Sequence, residues 1–147
     1  MTTKRDLYGS YRFWVEIGQL AEGAFSECSG LQAETEVFEW EEGGGNGYKL
    51  RLPARTKFPN LVLKRGVASA ELWEWYQSVI DADGRSVRIQ RRNCSIILYG
   101  YSGVPELRWN VSEALPIKWG GPTLKTGANE IAVETIELIH HGFKRVK

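Results

Sequence analysis

Tyr11-Arg12-Phe13-Trp14-Val15-Glu16-Ile17 puts Tyr11, Phe13, Val15 and Ile17 on one side of the chain and Arg12, Trp14 and Glu16 on the other. A period of two marks a half-buried strand, and the same signal recurs downstream. Residues 24–29 read as a short second strand after a turn bracketed by Gly18 and Gly23. Residues 33–41 follow, with Glu34 and Glu36 on one side and Thr35 and Val37 on the other. Phe38 and Trp40 then fall on the side where the glutamates began, which predicts a bulge or a strand contacted on both faces. Leu61 to Arg65, Cys94 to Tyr99, and the alternating Leu107, Trp109 and Val111 are further strands. Val87 and Ile89 alternate with Arg88 and Gln90, and residues 129–140 form a last strand that changes phase near Glu134.

One helix interrupts the strands, over residues 69–82. Ser69 is expected as its N-cap, Glu71 favours the positive end, and Gly84 suits the left-handed C-terminal position. Leu72, Trp73, Tyr76, Val79 and Ile80 form its expected buried stripe, leaving Glu74, Gln77, Ser78 and Asp81 to water. Strands without helical crossovers predict a mainly β fold, an antiparallel β-barrel or sandwich with this one flanking helix.

The chain of 147 residues has room for one domain, and its 42% apolar and 25% charged composition is that of a globular protein. Nineteen basic against eighteen acidic residues leave a net charge of +1. That balance disfavours binding by phosphate neutralisation and sets no large electrostatic barrier to self-association. Residues 1–9 form a polar N-terminal arm without the apolar core of a signal peptide, so synthesis in the cytoplasm is expected. No apolar run is long enough to span a bilayer as a helix, so membrane insertion is not expected.

Catalytic motifs are not found. The glycine run in Glu41-Glu42-Gly43-Gly44-Gly45-Asn46-Gly47 lacks the Gly-Lys-Ser/Thr of a phosphate loop and precedes no helix. His140 and His141 are neighbours that a strand would point to opposite faces, and Cys28 and Cys94 have no metal-site spacing. No GxSxG elbow is present. Neither an enzyme, a cofactor site nor a metal site is expected.

Residues 43–60 contain Pro53 and Pro59 and read as a long extended loop, a length that in compact domains is usually functional or disordered. Its apolar and basic side chains alternate irregularly, which suits a contact surface. Tyr48, Lys49, Leu50, Arg51, Leu52, Pro53, Arg55, Lys57 and Phe58 are the candidate inter-subunit contacts, with Leu50 and Leu52 buried in a neighbour and Lys49, Arg51 and Arg55 seeking acidic partners. The basic segments 49–57 and 85–92 with their aromatic neighbours also carry the chemistry of a single-stranded nucleic-acid groove. Near-neutrality favours instead their pairing with acidic strand faces, within one subunit or between subunits.

The order of the segments resembles the phage-tail-tube-like proteins, which include inner-tube subunits of contractile injection systems. The blocks that carry the resemblance are Tyr11 to Ile17, Phe25 to Leu31, Glu34 to Gly43, Leu52 to Gly66, Leu72 to Tyr76, Arg108 to Lys118 and Asn129 to Leu138, over roughly residues 10–146. Leu52-Pro-Ala-Arg-Thr-Lys-Phe-Pro-Asn-Leu-Val-Leu-Lys-Arg-Gly66 is the most diagnostic. The resemblance implies a compact barrel, six copies closing into a ring, and rings stacking into a hollow tube through the loop 43–60. It further implies a surrounding sheath, a baseplate and spike at the tip, cargo effectors in the lumen, and a bacterial source. Shaft and tube-initiating subunits both fit. A secreted ring protein of the type VI apparatus shares the implied fold, and a small nucleic-acid-binding barrel is the reading from a different class; specific nucleic-acid binding is not expected, though DNA would pass through a virion tail.

Overall fold

The computed structural model describes residues 12–18, 21–40, 50–67, 69–80, 91–100, 103–127 and 131–146. Its strands are β1 (Arg12–Ile17), β2 (Ala21–Ala24), β3 (Glu27–Ser29), β4 (Glu34–Trp40), β5 (Leu50–Lys57), β6 (Leu61–Gly66), β7 (Arg92–Tyr99), β8 (Pro105–Gly120), β9 (Val133–Ile139) and β10 (Phe143–Arg145), with the helix α1 (Glu71–Val79) between β6 and β7. Eight strands form one antiparallel sheet in the order β2-β1-β7-β8-β9-β6-β3, with β10 paired to β8. Among the described residues, β4 and β5 pair only with each other.

The two ends of the main sheet, β2 and β3, are separated in the chain only by Phe25 and Ser26. So short a link spans at most about 7 Å per two residues, so the sheet must curl until its ends come together. The Ser26 N–H donates to the Lys64 carbonyl at 2.8 Å, and Phe25 is buried at this corner. The sequence expectation of one strand over residues 24–29 is corrected here: the corner divides it in two.

β8 makes the second bend. Its first half pairs with β7 and β10 and its last residues pair with β9. Glu113 lies in the irregularity of the β7–β8 register just before the β9-paired part, at φ 54, a left-handed conformation uncommon for a residue with a Cβ. Asn93 Oδ1 accepts the Glu113 N–H at 3.1 Å and Arg91 Nη1 donates to the Glu113 carbonyl at 3.2 Å, which holds the turn open.

Inside the curl, strand alternation selects the core. Val15 and Ile17 from β1, Leu61 and Leu63 from β6, Cys94 and Ile96 from β7, Val111 from β8, and Ile136 and Leu138 from β9 are all buried. Phe13 packs against them as expected, while Tyr11 lies outside the described residues. α1 closes one side with Leu72, Trp75 and Val79, not with the predicted Trp73, which stays partly exposed with its ring 4.9 Å from that of Trp119. Leu72, Trp75 and Val79 follow the i, i+3, i+7 spacing of one helical face, and Trp73 is rotated off it. Ser69 is not a cap: Ala70 holds that position without a side-chain bond, and the Ser69 hydroxyl instead accepts from Arg65 Nη2 at 3.2 Å. The helix ends at Val79; Asp81, Ala82, Gly84 and the predicted strand 87–90 lie outside the described residues.

The expected phase change near Glu134 does not occur. Glu134, Ile136 and Leu138 occupy one inward row, so a carboxylate sits in the core phase. Its partner is Arg65, directly opposite on β6, with Nε to Oε1 at 2.7 Å and both side chains buried. Trp119 Nε1 donates to the other carboxylate oxygen at 3.3 Å, and the Arg65 guanidinium lies 5.4 Å from the Phe25 ring centroid. The pair therefore joins β6, β9, the end of β8, the start of α1 and the β2–β3 corner.

Removing one partner of a buried pair strands the other charge, at a cost of about 3–5 kcal/mol. Glu134→Ala is expected to lower folding stability by about that much, read as a large fall in the urea midpoint; an unchanged midpoint would show that the pair is not structural.

Candidate functional site

β4 and β5 form an antiparallel hairpin that stands off the main sheet. In register, Glu34 lies opposite Lys57, Thr35 opposite Thr56, Val37 opposite Pro53, Phe38 opposite Leu52, Glu39 opposite Arg51 and Trp40 opposite Leu50. From Thr35 to Val37 the chain advances by two residues while β5 runs from Thr56 to Pro53, so the extra residue belongs to β5. The irregularity expected from the sequence is thus present, but on the partner strand.

This corrects the reading of residues 43–60 as a loop. Residues 50–57 are a strand; the bulge at 54–55 breaks its alternation, and Pro53, which has no N–H to donate, is tolerated because β5 has a free edge. Residues 43–49, with Tyr48 and Lys49, lie outside the described residues.

The bulge gives the hairpin two distinct faces. Phe38, Trp40, Leu50 and Leu52 share one with Glu34, Glu36 and Lys57; Thr35, Thr56, Val37, Pro53, Glu39 and Arg51 share the other. The Lys57 ammonium pairs with the Glu36 carboxylate, Arg51 Nε lies 3.4 Å from Glu39 Oε1, and the Thr35 and Thr56 hydroxyls are 3.0 Å apart. Arg51 and Lys57 thus meet acidic residues of their own hairpin. The apolar side chains are not so provided for: Phe38 is 50% exposed, Trp40 53%, Leu50 42% and Leu52 46%. Phe38 and Trp40 were absent from the contact residues selected by sequence, although their alternation in β4 is the signal that finds them.

A two-stranded hairpin without a third layer is marginal in water. Its orientation here comes from the root, residues 58–60. Phe58, another sequence candidate, does not face outward with the rest: it is half-buried, edge-on to Phe143 with ring centroids 5.4 Å apart. A Cβ on Gly142 would lie 2.9 Å from the Phe58 ring, and Gly142 is at φ +112. The Gly142 N–H donates to His140 Nδ1 at 3.0 Å, so His140 carries its proton on Nε2 and donates it to the Pro59 carbonyl, also at 3.0 Å. Asn60 Nδ2 donates to Glu137 Oε1 at 3.4 Å, and on the other flank Gly30, at φ +98, leaves room for the Asn60 carbonyl. His140 is a clamp on the arm.

Among the described residues no three His, Cys, Asp or Glu side chains converge as a metal site. Burial pushes the Cys28 thiol up to about 11 and that of Cys94 up to about 12, Arg92 lowering the latter and Cys28 raising it. Both are poor nucleophiles at neutral pH.

A family model for the T4-like virus tail tube protein gp19 matches residues 9–144. Solved structures of the anti-feeding prophage are similar in two of its parts. One is the tube-terminating cap, at 27% identity and TM-score 0.83 over 99% of this chain and 94% of that one. The other is the six-fold symmetrised baseplate, at 26% identity and TM-score 0.78 over 99% and 97%. The sheath–tube complex of the extracellular contractile injection system PVC in its extended state matches at 26% identity and TM-score 0.82 over 96% and 92%. Hcp1 from Flavobacterium johnsoniae shares the fold at 12% identity and TM-score 0.58 over 92% and 94%. No curated protein matches by sequence.

Gly142→Ala is expected to cost about 1–3 kcal/mol in backbone strain, with faster amide exchange at residues 58–60; unchanged exchange there would exclude Gly142 from the root. Native protein at pH 8 is expected to resist Ellman's reagent, since a thiol at about 11 is ionised only to the order of 10⁻³. Both thiols should react in denaturant. Because folding raises both thiol pKa values, their contribution to stability is complete below the unfolded value near 9.0 and declines as pH rises past it.

Proposed function

The chain belongs to the T4-like virus tail tube protein family, and from that premise we propose that it is an inner-tube subunit of a contractile injection particle, closing in six copies into a ring that stacks into a hollow conduit. The observation that carries this reading is the hairpin arm. Its apolar side chains lie in the open at the tip of a rigidly rooted two-stranded ribbon, where a monomer gains nothing from them. Covering each half-exposed side chain is worth about 1 kcal/mol, and a closed ring stacked on another repeats that gain for every copy. Contacts between unlike surfaces propagate head to tail, which yields rings when the rotation closes and a filament when it does not.

A tube of this kind works mechanically. A surrounding sheath drives it forward, a baseplate and spike sit at its tip, and its bore carries the cargo. The relatives come from a tube-terminating cap, a sheath–tube complex and a six-fold symmetrised baseplate, which supports sheath and baseplate as the partners of this chain. In this role the subunit makes and breaks no covalent bond, and it resides in a phage-like tail or an extracellular particle. No helix among the described residues is long and apolar enough to cross a membrane.

Purified protein is expected to form six-membered rings or tubes in negative-stain images, and a monomer that persists at high concentration would contradict the proposal. Trp40→Ser combined with Leu50→Ser is expected to leave the unfolding midpoint in place while abolishing stacking; tubes of ordinary length from this variant would remove the arm from the joint.

A further inference from the structure

The arm needs a receiving surface, and the main sheet offers one on the outward side of β6 and β9. Arg65 and Glu134 point inward, so Lys64, Thr135 and Val133 point outward. Beyond Val133 the β8–β9 connection adds Ile131, 81% exposed, and Leu124, 83% exposed. Lys64, Leu124, Lys125, Ile131 and Val133 line one groove of about 400 Å³. Lys64 and Lys125 give it basic positions and Leu124, Ile131 and Val133 apolar ones, and the Lys64 ammonium lies 3.4 Å from the Glu27 carboxylate.

The arm presents the complementary order. On its apolar face the root bears Glu34, opposite Lys57, and Glu36, paired with Lys57, and Phe38 and Trp40 follow at two-residue intervals. In the groove Lys64 lies opposite Thr135, Val133 opens β9 two residues before Thr135, and Ile131 lies just outside the strand. Strand rise makes a two-residue interval about 7 Å both along the arm and from Thr135 to Val133, so acid then apolar on the arm meets base then apolar in the groove. The arm root is held on the His140 turn at the Leu61–Leu138 end of the β6–β9 ladder, and the groove lies at the Gly66–Val133 end. A rigid arm therefore reaches the groove of another copy more readily than its own.

We propose that the apolar face of the β4–β5 arm docks in the Lys64–Lys125–Ile131–Val133 groove of a second copy of this chain. The contact is heterologous, so every copy both gives and receives it. It rests on the tube reading above and supplies the partner surface that reading leaves unassigned.

Single variants Trp40→Cys and Ile131→Cys, mixed under assembly conditions with a short bismaleimide, test the contact. A covalent dimer is expected from the mixture, and none from either variant alone or from wild-type protein, in which Cys94 is buried and Cys28 partly buried. If Trp40→Cys alone prevents assembly, Leu50→Cys opposite it on the same face carries the same test. Tubes that assemble from the mixture without a covalent dimer overturn the arm–groove contact and leave the tube reading intact. Failure of the wild-type chain to form rings or tubes overturns the tube reading itself.

Discussion

The Arg65–Glu134 ion pair is the constraint on which the remainder of the fold depends. Two opposite charges in a core are tolerated only when each is fully engaged, because desolvation otherwise exceeds their attraction. Here the carboxylate takes one bond from Arg65 and one from Trp119, while the guanidinium reaches Ser69 and lies against Phe25. Each contact belongs to a different element. The pair thereby sets the β6–β9 register, the seat of α1 and the corner where the sheet closes on itself. An apolar pair would pack as well but would accept a neighbouring register more readily.

From that rigid frame the arm inherits its direction. β6 begins immediately after the root residues 58–60, and the root is clamped between Gly30 on one flank and the His140–Gly142 turn on the other. A hairpin this exposed would otherwise fray, and a frayed arm would lose most of its binding energy to ordering. Charged residues pair across the hairpin, while Phe38, Trp40, Leu50 and Leu52 stay half-exposed. Open strand edges and exposed apolar surface are hazards in a monomer; in the proposed tube they would serve as joints, and the near-zero net charge sets no large barrier to self-association.

Much of this was legible locally. Alternation in residues 11–17, 61–65, 94–99 and 107–111 reports which side of each strand is apolar, and the core follows it. The helix was visible too, though its buried stripe was misplaced by one aromatic, since Trp73 and Trp75 are equally apolar and only the docking angle separates them. Residues 50–57, expected as part of a loop, are a strand instead; a proline and a bulge erase the period of two in β5.

By itself the sequence determined the strand-rich class, the apolar side of most strands and the helix, since these depend on neighbours a few residues apart. Only the tertiary structure decided that Glu134 turns inward, that β2 and β3 meet, and that β4 and β5 leave the sheet. Those outcomes rest on partners far apart in the chain, Arg65 and Glu134 being separated by 69 positions, and no local period encodes which distant group will satisfy a buried charge or an open edge.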